Sequence, residues 1–145
     1  MQLVLVKTKT MKEILISTLQ TSENYTLAVA EAMPEKAYNE KPVEAIWNFN
    51  ELMNHIAYGI EWWTDNYIKK TESAWNPVTP KESRKKTIEY LKHAYSILKK
   101  AINKEKLSED EIKGFYATLD HITHHRGQAT IYLRFKGITP PEYVY

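Results

Sequence analysis

Residues 108–136 read SEDEIKGFYATLDHITHHRGQATIYLRFK. The stretch opens with a capping box, because Ser108 is followed three residues later by Glu111, and Gly137 and Pro140 mark its end. Between these signals, apolar residues recur in steps of three and four: Ile112, Phe115, Leu119, Ile122, Ala129 and Leu133. This spacing predicts a long helix with one apolar face, which needs other helices to cover it.

Three further capping boxes predict three more helix starts. They are TMKE at 10–13, NFNE at 48–51 and TPKE at 79–82. Pro34 would end the first helix, and the third carries an apolar stripe of its own: Ile88, Leu91, Tyr95, Leu98 and Ile102. We therefore predict an all-α four-helix bundle that occupies residues 1–145 as a single domain. The connection from Pro34 to Trp47 is long for antiparallel neighbours, so a plain up-down-up-down order is not expected.

Composition excludes several classes of function. The 145 residues contain no cysteine, which rules out disulfides, thiolate metal sites and a cysteine nucleophile, and leaves five histidines as the soft ligands. Twenty basic residues against 18 acidic ones give a net charge of +2, too balanced for a nucleic-acid-binding surface. No long apolar run predicts a membrane span or a signal peptide, so we expect a cytoplasmic protein.

The histidines divide into two groups when each helix is viewed down its axis. His55, His121 and His125 lie at the margins of apolar faces, whereas His93 and His124 lie opposite them. His121 and His125 are one turn apart, a spacing at which two imidazoles can chelate one ion. The pattern leaves two interpretations open: a metal or ligand site, or hydrogen-bonded core histidines.

Two polar neighbours of this pair also invite an interpretation. Arg126 falls inside the apolar stripe, so it needs a carboxylate or carbonyl partner. It would either link helices or support the histidines, and the alternative is direct contact with a substrate. Gln128 borders His121, where it could orient an imidazole or a bound water, or simply face solvent.

Two segments together resemble the DinB/YfiT-like family. LDHITHHRGQ at 119–128 is similar to the family pattern H-x-x-x-H-R-G-Q on the last helix, and WNFNELMNHIA at 47–57 is similar to its second-helix motif. The resemblance implies a four-helix bundle, often dimeric, in which His55, His121 and His125 bind a divalent metal ion, usually zinc or nickel. The activities it implies vary from thiol S-transfer and thiol-dependent isomerisation to metal-dependent hydrolysis.

Three imidazoles leave a coordination position open, as in a catalytic metal site. We therefore expect a metal-dependent enzyme that acts on small molecules and activates a low-molecular-weight thiol or water. A thiol must come from a small-molecule cosubstrate, because the chain has no cysteine. Glu51, one turn before His55, is either a carboxylate supporting the site or only part of the capping box. The alternatives are a metal-dependent hydrolase, a non-catalytic metal- or ligand-binding protein, and a homodimeric bundle stapled by its metal. Nucleic acid and membrane are not expected partners.

Overall fold

Four α-helices make up most of the computed structural model, which describes residues 8–144. They are α1 (Met11–Ala32), α2 (Phe49–Trp63), α3 (Arg84–Ile102) and α4 (Glu109–Phe135). A short 3-10 turn, Glu35–Ala37, lies between α1 and α2, and α2 continues into a π-helical turn, Thr64–Ile68. All secondary structure within the described range is helical, which confirms the predicted fold class.

Capping boxes open three of the helices where the sequence predicts them. Thr10, Asn48 and Ser108 each accept a hydrogen bond from the backbone N–H three residues later, and the glutamate at that position accepts one from the cap residue in return. At the other end of α4, Gly137 has a φ of 71°, the left-handed conformation that commonly ends a helix and suits glycine. These predicted helix boundaries are confirmed. Capping residues act over only a few positions, so the sequence alone is enough to predict them.

The predicted start of α3 is wrong by four residues. The helix begins at Arg84 with Ser83 as its cap, and the TPKE segment at 79–82 is not helical. The reason is a contact with α2: the backbone N–H of Lys81 donates to Asn54 Oδ1, and its carbonyl accepts from Asn50 Nδ2. The backbone N–H and carbonyl of Lys81 are therefore both bound to side chains of α2, and neither is available for hydrogen bonds within α3.

The helices are arranged so that α1 and α2 lie on one diagonal of the bundle. Each of them packs against both α3 and α4. Consecutive helices are thus diagonal rather than adjacent at two of the three connections, which confirms that the bundle is not a plain up-down-up-down one. As a result, α2 and α4 lie side by side and can present residues to each other. Within residues 8–144, no helix is both long and apolar enough to cross a bilayer.

Candidate metal centre

Three histidines from two helices meet where α2 packs against α4. Nε2 of His55 lies 3.0 Å from Nε2 of His125 and 3.2 Å from Nε2 of His121. One nitrogen from each of the three rings lies within 4.8 Å of the others. His93 and His124 are exposed, although the ring of His124 lies beside that of His125. The packing of α2 on α4 thus brings together the three inward-facing histidines.

Gly59 makes the space that His121 occupies. It lies one turn after His55 on α2, and a Cβ built there would lie 2.1 Å from Cε1 and 2.6 Å from Nδ1 of the His121 ring. Any other residue would therefore force that ring to move. The glycine is required by the close approach of the two helices at this point.

Burial keeps the three imidazoles uncharged. Burial, with a smaller contribution from His125, lowers the pKa of His55 from 6.5 to about 4. Burial and the neighbouring histidines also lower the pKa of His121 to about 4. The pKa of His125 is lowered by burial too, although its hydrogen bond to Gln128 acts in the opposite direction. Neutral imidazole is the form that binds a metal, so all three rings are ready to act as ligands near pH 7.

The outer ring nitrogens indicate how the protons are distributed. Gln128 Oε1 lies 2.8 Å from Nδ1 of His125 and accepts a hydrogen bond from Nδ1–H, so the ring's lone pair is on Nε2. Nδ1 of His121 is buried and has no hydrogen-bond partner among the described residues. The contact with Gln128 thus directs the Nε2 lone pair of His125 toward the other two rings, whereas within the described range no hydrogen bond at Nδ1 fixes the proton of His121.

A divalent cation fits this cluster. Each neutral imidazole has a single N–H, so the three facing Nε2 atoms carry too few protons for every contact to be a hydrogen bond. Some of these contacts therefore bring two lone pairs together. Two of the three nitrogen-to-nitrogen separations, 3.0 and 3.2 Å, lie near the edge of a tetrahedron with zinc–nitrogen bonds, which is about 3.4 Å, and all three nitrogens lie within 4.8 Å of one another. The cluster therefore has the donor type and the charge state of a three-histidine metal centre, and His55 lies at a suitable spacing from both other ligands.

Aromatic rings surround the cluster. Trp47 and Trp75 lie 4.8 Å and 5.5 Å from the ring of His55, and Trp63 lies 6.1 Å from that of His121. Trp75 comes from the segment between α2 and α3, which sequence reasoning did not connect with the site. The available signal was a tryptophan in an otherwise polar loop directly after the histidine-bearing helix.

Two clefts reach the histidines, and Trp47 lines both of them. A cleft of about 370 Å³ lies beside His55, and Glu51, Asn54 and Tyr58 are among the residues that line it. A second cleft of about 430 Å³ lies beside His125. Its wall is mainly apolar: Ala45, Ile46, Leu52, Ile131, Tyr132 and Phe135.

The remaining predicted residues have distinct positions. Glu51 accepts a hydrogen bond from the backbone N–H of Asn48, so it completes the capping box while it lines the cleft beside His55. It makes no hydrogen bond to a histidine within residues 8–144. Arg126 is directed away from the cluster and donates to the carbonyl oxygen of Ser22 and to Thr26 Oγ1 on α1. Arg126 therefore links α4 to α1.

Comparison with known proteins agrees with this fold. A search of curated proteins found no match. The crystal structure of a DinB-like protein from Bacillus cereus ATCC 10987 matches with a TM-score of 0.76 and 17% sequence identity, over 90% of this chain and 95% of that chain. At this identity, the similarity shows a shared fold.

The sequence model of the DinB family matches residues 6–114. The matched region contains His55 and ends before His121 and His125, so the approach of the three rings is seen in the structure rather than in the match. Because the match extends over well more than half of the 145 residues, the chain belongs to the DinB family.

Proposed function

We propose that this protein binds one divalent metal ion through Nε2 of His55, His121 and His125, and that it is a metal-dependent transferase for small molecules. The observation that carries the proposal is the convergence of three neutral imidazoles beside two clefts, one lined by His55 and the other by His125. Zinc and nickel both suit an all-imidazole site.

A divalent ion bound by three imidazoles would lower the pKa of a thiol or water at its open position and supply a nucleophile near neutral pH. The chain contributes the rest. Gln128 fixes the orientation of His125 through Nδ1, and Gly59 leaves the space in which the His121 ring stands. Trp47 and Trp75 pack beside the ring of His55.

The two clefts favour transfer between two organic substrates over hydrolysis. The cleft beside His55 is the more polar of the two, and we propose that it takes the thiol, with Glu51 receiving the S–H proton. The mainly apolar cleft beside His125 would take the electrophile. The sulfur then bonds to an electrophilic carbon, and the leaving group departs with the bonding electrons. A hydrolase would need only one such cleft, because its second substrate is water.

Metal analysis tests the first half of the proposal. Purified protein should contain about one divalent ion per chain by elemental mass spectrometry, and His125→Ala should lose it. His124→Ala is the matched control, since it removes an exposed imidazole one residue away and should keep the ion. Protein without stoichiometric metal would overturn the proposal.

A screen of thiols against electrophiles tests the second half. Turnover should depend on added metal and disappear in His125→Ala. Glu51→Gln should keep the capping box, because glutamine also serves at that position, yet lose most of the turnover. Metal-dependent hydrolysis without any thiol would favour the hydrolase instead.

A purely structural metal is the second candidate, because the ion would tie α2 to α4. In that case His125→Ala would lower the melting temperature substantially, and no substrate pair would turn over. A variant that loses the metal and keeps its melting temperature would exclude this alternative. A homodimer remains a prediction, which sedimentation equilibrium would test.

A further inference from the structure

A third cleft lies between α1 and α4, and none of the three histidines lines it. Its volume is about 400 Å³, within the range of small-molecule sites. Its wall is rich in hydroxyl groups and also contains a buried arginine: Ser17, Thr18, Thr21, Ser22, Tyr25, Leu119, Thr123, Arg126, Tyr143 and Val144. The proposed metal chemistry uses none of these residues.

Arg126 contributes charged donors to this cleft. Only 5% of its surface is exposed. Its Nη1 donates to the carbonyl and hydroxyl oxygens of Ser22 and to Thr26 Oγ1, at 3.3, 3.4 and 3.1 Å. The guanidinium lies over the ring of Tyr25, 4.8 Å from its centre. Nε and Nη2 donate to no acceptor among residues 8–144, so three N–H groups of a buried guanidinium remain for a ligand.

The charge of Arg126 also lacks a counterion in the part of the chain that the structure describes. None of the ion pairs found there includes Arg126. Glu23, the residue after Ser22, accepts a hydrogen bond from Gln20 instead. A buried charge without an opposite charge is costly to a fold. An anion in the cleft would lower that cost, and the planar fork of Nε and Nη2 matches a carboxylate in particular.

The hydroxyl groups on the α1 side indicate what else the ligand carries. Ser17 and Thr18 donate to the carbonyl of Ile14, and Thr21 donates to that of Ser17. Each hydroxyl has a single proton, so these three offer only lone pairs to the cleft. A ligand that binds there therefore needs donors of its own, such as hydroxyl or ammonium groups.

We propose that this cleft binds a small hydroxycarboxylate or aminocarboxylate. The carboxylate would accept from Nε and Nη2 of Arg126, and the ligand's O–H or N–H groups would donate to the hydroxyl oxygens of α1. Tyr25 and Tyr143, whose rings pack edge to face at 5.2 Å, form an aromatic side of the cleft.

Backbone-amide NMR with glycerate as the probe tests the site. Saturable shifts should appear at residues 17–25 and 119–126, with a Kd of about 1 mM or below. Glycerol, which lacks the charge, and acetate, which lacks the donors, should each bind at least about tenfold more weakly. Shifts that appear only near the histidines, or no saturation at about 50 mM glycerate, would overturn the proposal. Equal binding of glycerol or acetate would overturn it as well.

Variants locate the binding residues. Arg126→Lys keeps the charge but loses the planar fork, and it should weaken glycerate binding about tenfold. Because Arg126 also links two helices, Thr21→Val provides a second test that removes only one acceptor from the wall. It should raise the Kd about fivefold. Thr130→Val is the matched control, since Thr130 also donates to a carbonyl of its own helix but lies outside the cleft. Equal effects of Thr21→Val and Thr130→Val would refute the assignment.

Discussion

Replacing Gly59 by alanine should weaken metal binding strongly while leaving the fold intact. The new Cβ would lie 2.1 Å from Cε1 of His121, whereas ordinary contacts begin at 3.4 Å, so the ring must move by about 1.3 Å. Metal–ligand distances tolerate deviations of only about 0.2 Å. A ring displaced by several times that tolerance no longer serves as the third ligand.

The expected magnitudes follow from this displacement. Changes to groups that merely support a ligand cost about 10- to 100-fold in affinity, so the loss of a ligand should cost at least about 100-fold, or about 2.7 kcal/mol. The stability of the metal-free protein should change little. Alanine is favoured over glycine inside a helix by about 1 kcal/mol, which offsets an off-rotamer cost of similar size for His121.

Competition with a chromophoric chelator measures the affinity, and urea unfolding of the metal-free protein measures the stability. Gly127→Ala is the matched control on α4, because a Cβ there meets nothing within 4 Å. It should keep metal affinity and gain up to about 1 kcal/mol. Adding His121→Ala to Gly59→Ala removes the clash, so any destabilisation of the single variant should be relieved. Wild-type metal affinity in Gly59→Ala would refute the reasoning.

Three further outcomes follow from the same geometry. Gly114→Ala should lower the free energy of unfolding by about 1–3 kcal/mol in urea titrations, because its Cβ would lie 2.6 Å from a backbone oxygen of the π-helical turn, which cannot rotate away. Gln128→Ala should weaken zinc binding about 10-fold in chelator competition, since it frees Nδ1 of His125 to take the other tautomer; unchanged affinity would contradict that role. The pKa values of His55 and His121 are about 4 in the fold and 6.5 when unfolded, so the unfolded chain binds more protons between these values. The metal-free protein should therefore lose stability as the pH falls from 6.5 to 4, and a variant with both histidines replaced by alanine should lose less.

The failed prediction at α3 shows the limit of local signals. The TPKE segment has the sequence of a capping box, and so do the segments that begin the other three helices. What differs is that Asn50 and Asn54, both nearly buried on α2, bind the backbone of Lys81. Thr87 joins the same network, accepting from Asn54 and donating to Asn50. Competition from a distant helix cannot be inferred from four consecutive residues.

The partners of Arg126 also separate what the sequence predicts from what only the tertiary structure decides. Its place within an apolar stripe predicts that it needs a buried acceptor, because an unpaired cation is costly there. The acceptors that the structure supplies, Ser22 and Thr26, lie about 100 positions earlier in the chain. Helical periodicity indicates the face on which a residue lies but not which helix covers that face.

By itself, the sequence determined the four helices, most of their boundaries, and the separation of three inward-facing histidines from two outward-facing ones. These properties follow from capping over three residues and from a period of 3.6, both of which are local. Only the tertiary structure decided that His55 meets His121 and His125, that Gly59 makes room for one of them, and that Trp75 covers the site. Those contacts depend on α2 lying beside α4, and that arrangement is set by the packing of all four helices at once.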